Sequence, residues 1–113
     1  MKDFSIKYPI LNEIRKHKSD QVPLFPSQFN IYFLFYNDKL VYIGRSSNLF
    51  ARLSKHLTTK IFNSLSLVPT NRADLIELET YYIEKYEPSY NHQEATVKQF
   101  RTRRTKLQQK KQR

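Results

Sequence analysis

A chain of 113 residues with 14% aromatic content, carried by eight Tyr and eight Phe, has material for one core and too little for two. The absence of cysteine excludes disulfides and cysteine-based metal sites and fits a reducing, intracellular setting. No signal peptide is recognisable and no apolar run approaches the 18 or more residues of a membrane span, so no membrane partner is expected.

The net charge of +10 is unevenly placed. Residues 98–113 carry Lys98, Arg101, Arg103, Arg104, Lys106, Lys110, Lys111 and Arg113 and no acid; removing those eight leaves +2 for the rest. Such a tail reads as a phosphate-binding, nucleic-acid contact that would be salt-sensitive and sequence-independent, with a solvated solubility tail as the plainer alternative. The chain accordingly divides into an N-terminal extension (1–28), a central domain (29–93) and a basic tail (94–113).

In chain order, residues 9–18 predict a short helix, with Pro9 in its first turn and Ile10, Leu11 and Ile14 on one face. Asp20 to Gln28 contains Pro23 and Pro26 and is extended. This N-terminal part is expected to cover one face of a sheet. Two aromatic-rich runs, Asn30 to Tyr36 and Lys39 to Gly44, flank Asn37-Asp38 and predict a β-hairpin. A three-residue loop puts Tyr32, Leu34, Tyr36, Leu40 and Tyr42 on one face and Ile31, Phe33, Phe35, Val41 and Ile43 on the other. A two-residue loop would separate Tyr32 from Tyr42, since a slip of one residue turns side chains over. The cleaner segregation favours the odd loop and predicts Tyr32 and Tyr42 as same-face neighbours.

Gly44 is the only glycine in the chain. It ends the second run and precedes the cap candidates Ser46-Ser47-Asn48, a position where φ > 0 or a close approach by backbone or phosphate is expected. A tight turn is the alternative. A helix over Ser47–Leu57 follows, with Leu49, Phe50, Leu53 and Leu57 as its apolar arc and Arg52 and His56 together on the border. Residues 60–68 predict a third strand ended by Pro69, and Thr70 or Asn71 caps a helix over Ala73–Tyr86 with Asp74 in its first turn.

That last helix carries the sharpest clue. Leu78, Tyr82, Leu75, Tyr86, Ile83 and Ile76 form its apolar arc, and Glu79 falls inside the arc while Glu77, Glu84 and Glu87 project away. A carboxylate placed there pairs, protonates or binds a metal; the alternative to a metal is an ion pair with an arginine such as Arg52. Pro88 stops the helix, Tyr90 packs back on the core, and Asn91 follows, where it could serve only as a turn cap.

Together, Asn30-Ile31-Tyr32, Tyr42-Ile43-Gly44-Arg45, Asn48-Leu49, Arg52, His56, Glu79 and Pro88-Ser89-Tyr90-Asn91 stand in the order and spacing of one family's motifs. The stretch from Asn30 to His92 resembles the GIY-YIG endonuclease superfamily. Asn30 replaces the family's usual glycine, which suggests a first strand that starts less tightly.

The resemblance implies an α+β fold: a three-stranded antiparallel sheet flanked by helices. It implies a DNA endonuclease hydrolysing phosphodiester bonds with one divalent metal, Mg²⁺ foremost and Mn²⁺ as the alternative, held by Glu79 as sole protein ligand. Arg52 would stabilise the pentacoordinate phosphate. Tyr32 is the first choice for general base and Tyr42 for positioning water or phosphate. A tyrosinate at neutral pH needs its pKa lowered by about 2 to 3 units. His56 would support by hydrogen bonding, with direct base catalysis as its rival role, and Asn91 would orient a site group or the substrate. Gly44, Arg45, Lys98, Arg101, Arg103, Arg104 and Lys106 would meet DNA, whether duplex, nicked or branched. The resemblance leaves monomer and dimer open. From a different functional class, a DNA-binding module of the same fold that no longer cuts is the alternative.

Overall fold

The computed structural model describes residues 3–92. Two short helices, α1 (Phe4–Lys7) and α2 (Leu11–Lys16), precede strands β1 (Asn30–Tyr36) and β2 (Lys39–Ser46). Helix α3 (Leu49–Leu57), strand β3 (Ser64–Pro69) and helix α4 (Leu75–Tyr86) follow. The strands form one antiparallel sheet in the order β2-β1-β3. This is the α+β architecture expected: a three-stranded antiparallel sheet with flanking helices.

β1 is central and covered on both faces, which explains why Asn-Ile-Tyr-Phe-Leu-Phe-Tyr is almost continuously aromatic and aliphatic instead of alternating with polar residues. Every residue but Tyr36 is buried. One face packs Ile31, Phe33, Phe35, Leu40 and Ile43 against Leu78 and Tyr82 of α4, with Phe4 and Ile14 from α1 and α2 completing it. The N-terminal segment thus covers this face, as expected. Lys7 and Tyr8 fasten it to Asp74, each at 2.7 Å, and Ser19 pairs with Leu65 on the outer edge of β3. The other face packs Tyr32, Leu34, Val41 and Leu65 against Leu49 and Leu53 of α3.

The hairpin loop has two residues, not three. Tyr36 pairs with Lys39, and Asn37 and Asp38 both take left-handed φ (48° and 71°), which Asn and Asp tolerate and a primed turn requires. Parity is restored further along by a bulge: Leu34 pairs with Tyr42 but Phe35 with Leu40, leaving Val41 as the extra residue. Tyr32 and Tyr42 therefore do share a face. Leu40 and Val41 occupy the opposite faces from those expected, because the two-residue turn sets the facing up to Leu40 and the bulge at Val41 restores parity only from Tyr42 onward.

Other boundaries shift modestly. β3 begins at Ser64, not residue 60, α3 begins at Leu49 behind an Asn48 cap bonded to Ala51 N, and Asn71 accepts from Asp74 N just ahead of α4. Phe50 and Leu57 of α3 are exposed, and so is Ile76 of α4. The inward line of α3 is instead Leu49, Leu53 and His56. Asn30 does not loosen β1: it is buried, pairs with both Ser46 and Pro69, and its Nδ2 donates to Ser27 O at 2.5 Å. Among the described residues no helix is long and apolar enough to cross a membrane.

Candidate functional site

The site lies at the edge strand β2, where the strand's only glycine leaves a gap. Gly44 sits within β2, which continues to Ser46, and its φ is not positive. Neither a turn nor left-handed backbone explains it. A Cβ built on Gly44 would come within 2.3 Å of both Cζ and Oη of Tyr32 and 2.8 Å of its Cε2. Tyr32 is directly opposite Gly44 in the register, so its ring crosses the neighbouring backbone and carries the hydroxyl toward the sheet edge. Backbone or phosphate was expected to approach here; the group that does so is a side chain of this chain, Tyr32.

His56 arrives from α3, buried between the two tyrosines. The Tyr32 hydroxyl and His56 Nε2 are hydrogen-bonded at 2.7 Å. Ring centroids are 5.5 Å apart for Tyr32 and His56, 4.7 Å for Tyr42 and His56, and 6.0 Å for the two tyrosines. An imidazole takes an inward position that Phe50 or Leu57 was expected to share because it finds a polar partner there, which lowers the cost of its burial. Burial pushes the Tyr32 phenol pKa well above its ordinary value, with the charge of Tyr42 adding to this, Arg52 opposing it and Glu79 adding a smaller upward push. The shift is opposite to the lowering that a resting tyrosinate requires. Tyr32 is a neutral phenol here.

Three charged side chains complete the neighbourhood. Arg52 is exposed on α3, and Glu79, half-buried on α4, is near enough for its charge to reach Tyr32. Glu77, Glu84 and Glu87 are exposed, as expected. The arginine that pairs with Glu79 is Arg45, not Arg52: Nη1 donates to Oε1 at 2.6 Å. Among the described residues no three acidic, imidazole or thiol groups cluster. A metal here would rely on one carboxylate, a donor set that suits a hard cation which keeps most of its waters and completes its shell on substrate oxygens.

Asn91 is committed to the backbone. Its Oδ1 accepts from Ile43 N and its Nδ2 donates to Ile43 O, both at 2.8 Å, closing the free edge of β2 one residue before Gly44. Both halves of the amide are used, so Asn91 holds the strand that carries Tyr42 and Gly44 instead of aiming at a substrate. Lys98, Arg101, Arg103, Arg104 and Lys106 lie outside the described residues.

Periodicity missed Lys60. Its ammonium lies 4.5 Å from the Tyr42 ring centroid and 6.0 Å from that of Tyr90, placing a cation at the rim of the tyrosine pair. Residue 60 falls between α3 and β3, and its amide donates to His56 O at 2.9 Å. The local sequence held no sign of this, because the placement depends on where the chain leaves α3. Tyr90 packs against the same face, as expected, and its hydroxyl accepts from Ile61 N at 3.1 Å.

The fold and site define an α+β domain with a buried tyrosine–histidine pair, a second tyrosine and an arginine–glutamate pair at one sheet edge. Among known proteins, the chain is similar to UvrABC system protein C of Borrelia duttonii (strain Ly) and of Borrelia recurrentis (strain A1). Each is 31% identical over 93 aligned positions, covering 69% of this chain and 15% of the relative. The chain thus spans about 15% of the length of these curated relatives. No family model matches the chain, and no solved structure matches it significantly.

Proposed function

We propose that this chain is a small nuclease of the GIY-YIG type that hydrolyses DNA phosphodiester bonds with a divalent metal, Mg²⁺ or Mn²⁺. The observation that carries the reading is the 2.7 Å Tyr32–His56 hydrogen bond, set beside Tyr42 at a sheet edge that also gathers Arg52, Arg45 and Glu79. A buried phenol with a merely structural role is well served by a backbone carbonyl. This one is paired with a base. The similarity to a UvrABC system protein supports a nuclease or DNA-processing role.

The chemistry follows from the neutral state of Tyr32. A phenol held neutral by burial cannot serve as a ready-made base. It can take a proton from the attacking water only as its own proton moves on to His56. With His56 neutral and its proton on Nδ1, Nε2 accepts from the Tyr32 hydroxyl and becomes the final resting place of that proton. Tyr32 thus relays the proton and His56 receives it. Tyr42, half-exposed beside both, orients the water or the phosphate. Arg52, exposed at the end of α3's first turns, faces the negative charge that develops on the phosphorus oxygens, for which its rigid fork suits better than an ammonium. Glu79 would hold the metal, which when bound supplies Lewis-acid stabilisation of the phosphoryl oxygens and the leaving oxygen.

The test is nicking of supercoiled plasmid, and cleavage of nicked and branched DNA, by the full chain in Mg²⁺ or Mn²⁺. Parent protein should cut, and Glu79→Gln and His56→Ala should each reduce the rate by roughly 10²-fold or more. Parent-like cutting by Glu79→Gln would remove the metal assignment. DNA binding without any cutting by the parent would favour a binding module of the same fold.

A further inference from the structure

Glu79 is engaged by Arg45. The contact is a charge-assisted hydrogen bond of 2.6 Å between elements far apart in sequence, and the carboxylate side chain is only 16% exposed while the guanidinium is 45% exposed. A divalent cation and a guanidinium compete for the same carboxylate oxygens, and a guanidinium left in place repels the arriving ion. Arg45 adjoins Gly44 on the edge strand, beside the tyrosine pair where a phosphate would be cut. A DNA phosphate is a bidentate partner for the same fork, so it can take the guanidinium without leaving it unpaired.

We propose that Arg45 is a counter-ion latch on Glu79, which closes the carboxylate to metal until a DNA phosphate draws the guanidinium away. The proposal rests on the nuclease reading of this site. It makes metal binding and DNA binding mutually dependent: each helps the other because both displace one ion pair. By reciprocity of linked binding, the factor by which DNA raises metal affinity equals the factor by which metal raises DNA affinity. Arg45 acts on the metal through Glu79 and is a positioning residue, not a metal ligand.

The experiment measures Mn²⁺ binding to the full chain from the loss of the free-ion electron paramagnetic resonance signal. It compares the parent, Arg45→Gln, Arg45→Lys, Glu79→Gln and the double variant Arg45→Gln/Glu79→Gln. Without DNA, Arg45→Gln should bind Mn²⁺ roughly tenfold more tightly than the parent, in keeping with a part-buried charge-assisted bond. Arg45→Lys, which keeps a point charge and loses the fork, should fall between them. The double variant should lose the gain, and a short duplex added to the parent, corrected for Mn²⁺ held by the duplex alone, should narrow the gap.

Unchanged Mn²⁺ affinity in both Arg45 variants overturns the latch. If Glu79→Gln still weakens binding in that case, the metal assignment survives and only the latch is lost. A gain that persists in the double variant also overturns it, because the added affinity would not come through Glu79.

Discussion

Two tyrosines, one on each face of the sheet, are buried almost equally, with Tyr32 at 2% and Tyr82 at 1% exposure. Burial raises the pKa of both, and it is the largest cause in each case. What differs is the partner. The Tyr82 hydroxyl donates to the carbonyl of Pro9 at 2.7 Å, an acceptor that cannot take a proton at any ordinary pH, and so ties the N-terminal segment to α4. The Tyr32 hydroxyl meets an imidazole at the same distance. Burial fixes the resting state of each phenol, and the partner decides whether its proton can leave. One face is therefore closed structure, and under the proposed function the other carries the chemistry.

The strongest way to break that comparison is to delete the two hydroxyls in turn. Tyr32→Phe should lower DNA cleavage by roughly 10² to 10⁴-fold, the range for a positioned proton-transfer group. Tyr82→Phe should cut at the parent rate. Its loss falls on stability, at about 1 kcal/mol, because the part-buried bond to the Pro9 carbonyl is lost. Cleavage rates of the two variants, with urea melts alongside, read both. If Tyr82→Phe lost as much activity as Tyr32→Phe, the division of labour between the faces would be wrong.

Gly44→Ala tests the same face by geometry. A Cβ 2.3 Å from the Tyr32 ring cannot coexist with it, so the ring must leave its place above β2 and the hydroxyl must move off His56 Nε2. Displacement of a reacting group by about 1 Å can cost roughly 10²-fold, and the overpacking should cost about 1 to 3 kcal/mol. A Gly44→Ala protein that cuts like the parent would mean that the tyrosine's station over the strand is unnecessary. Asn91→Ala should act more gently. Losing two bonds to Ile43 frees the edge of β2 and should cost about 1 to 3 kcal/mol. The accompanying fall in cleavage should be recovered at lower temperature, where the strand stays paired; a catalytic amide would show no such recovery.

Much of this was legible in the chain. The lone glycine, the tyrosine spacing and the inward position of Glu79 each follow from a period of two or 3.6 and from what a missing Cβ permits. The reasons were less accessible. Hairpin parity admitted two solutions, and the sequence does not announce a bulge at Val41: the two-residue turn and the extra residue together produce the facing that a three-residue loop alone would give. The arc of α3 misled because Phe50 and Leu57 are apolar and His56 is not, yet the buried partner for an imidazole lies on another element. Likewise, an inward carboxylate says that it needs a partner without saying which arginine the fold will bring. Arg45 lies on a strand, Arg52 on a helix, and only the packing of α4 across the edge of β2 chooses between them.

The smallest expected effect sharpens the comparison by showing what the two tyrosines share. In the unfolded chain both phenols ionise near 10.0, and in the folded protein both hold their protons to higher pH. Above about pH 10 the unfolded state therefore binds fewer protons than the native state, and stability must fall as pH rises. Below pH 10 both states are protonated at these positions and no such dependence arises from them. Each phenol contributes a slope of at most about 1.4 kcal/mol per pH unit. Urea melts between pH 9 and 11, each variant referred to its own stability at pH 9, should show a shallower decline for Tyr82→Phe than for the parent. Tyr32→Phe should show a similar easing, since lysine ionisation is common to all three proteins and cancels in the difference. Equal easing by both, joined to unequal loss of cleavage, is the result that separates burial from partnership. A parent-like decline in Tyr32→Phe would place its phenol in water and remove the ground for the relay.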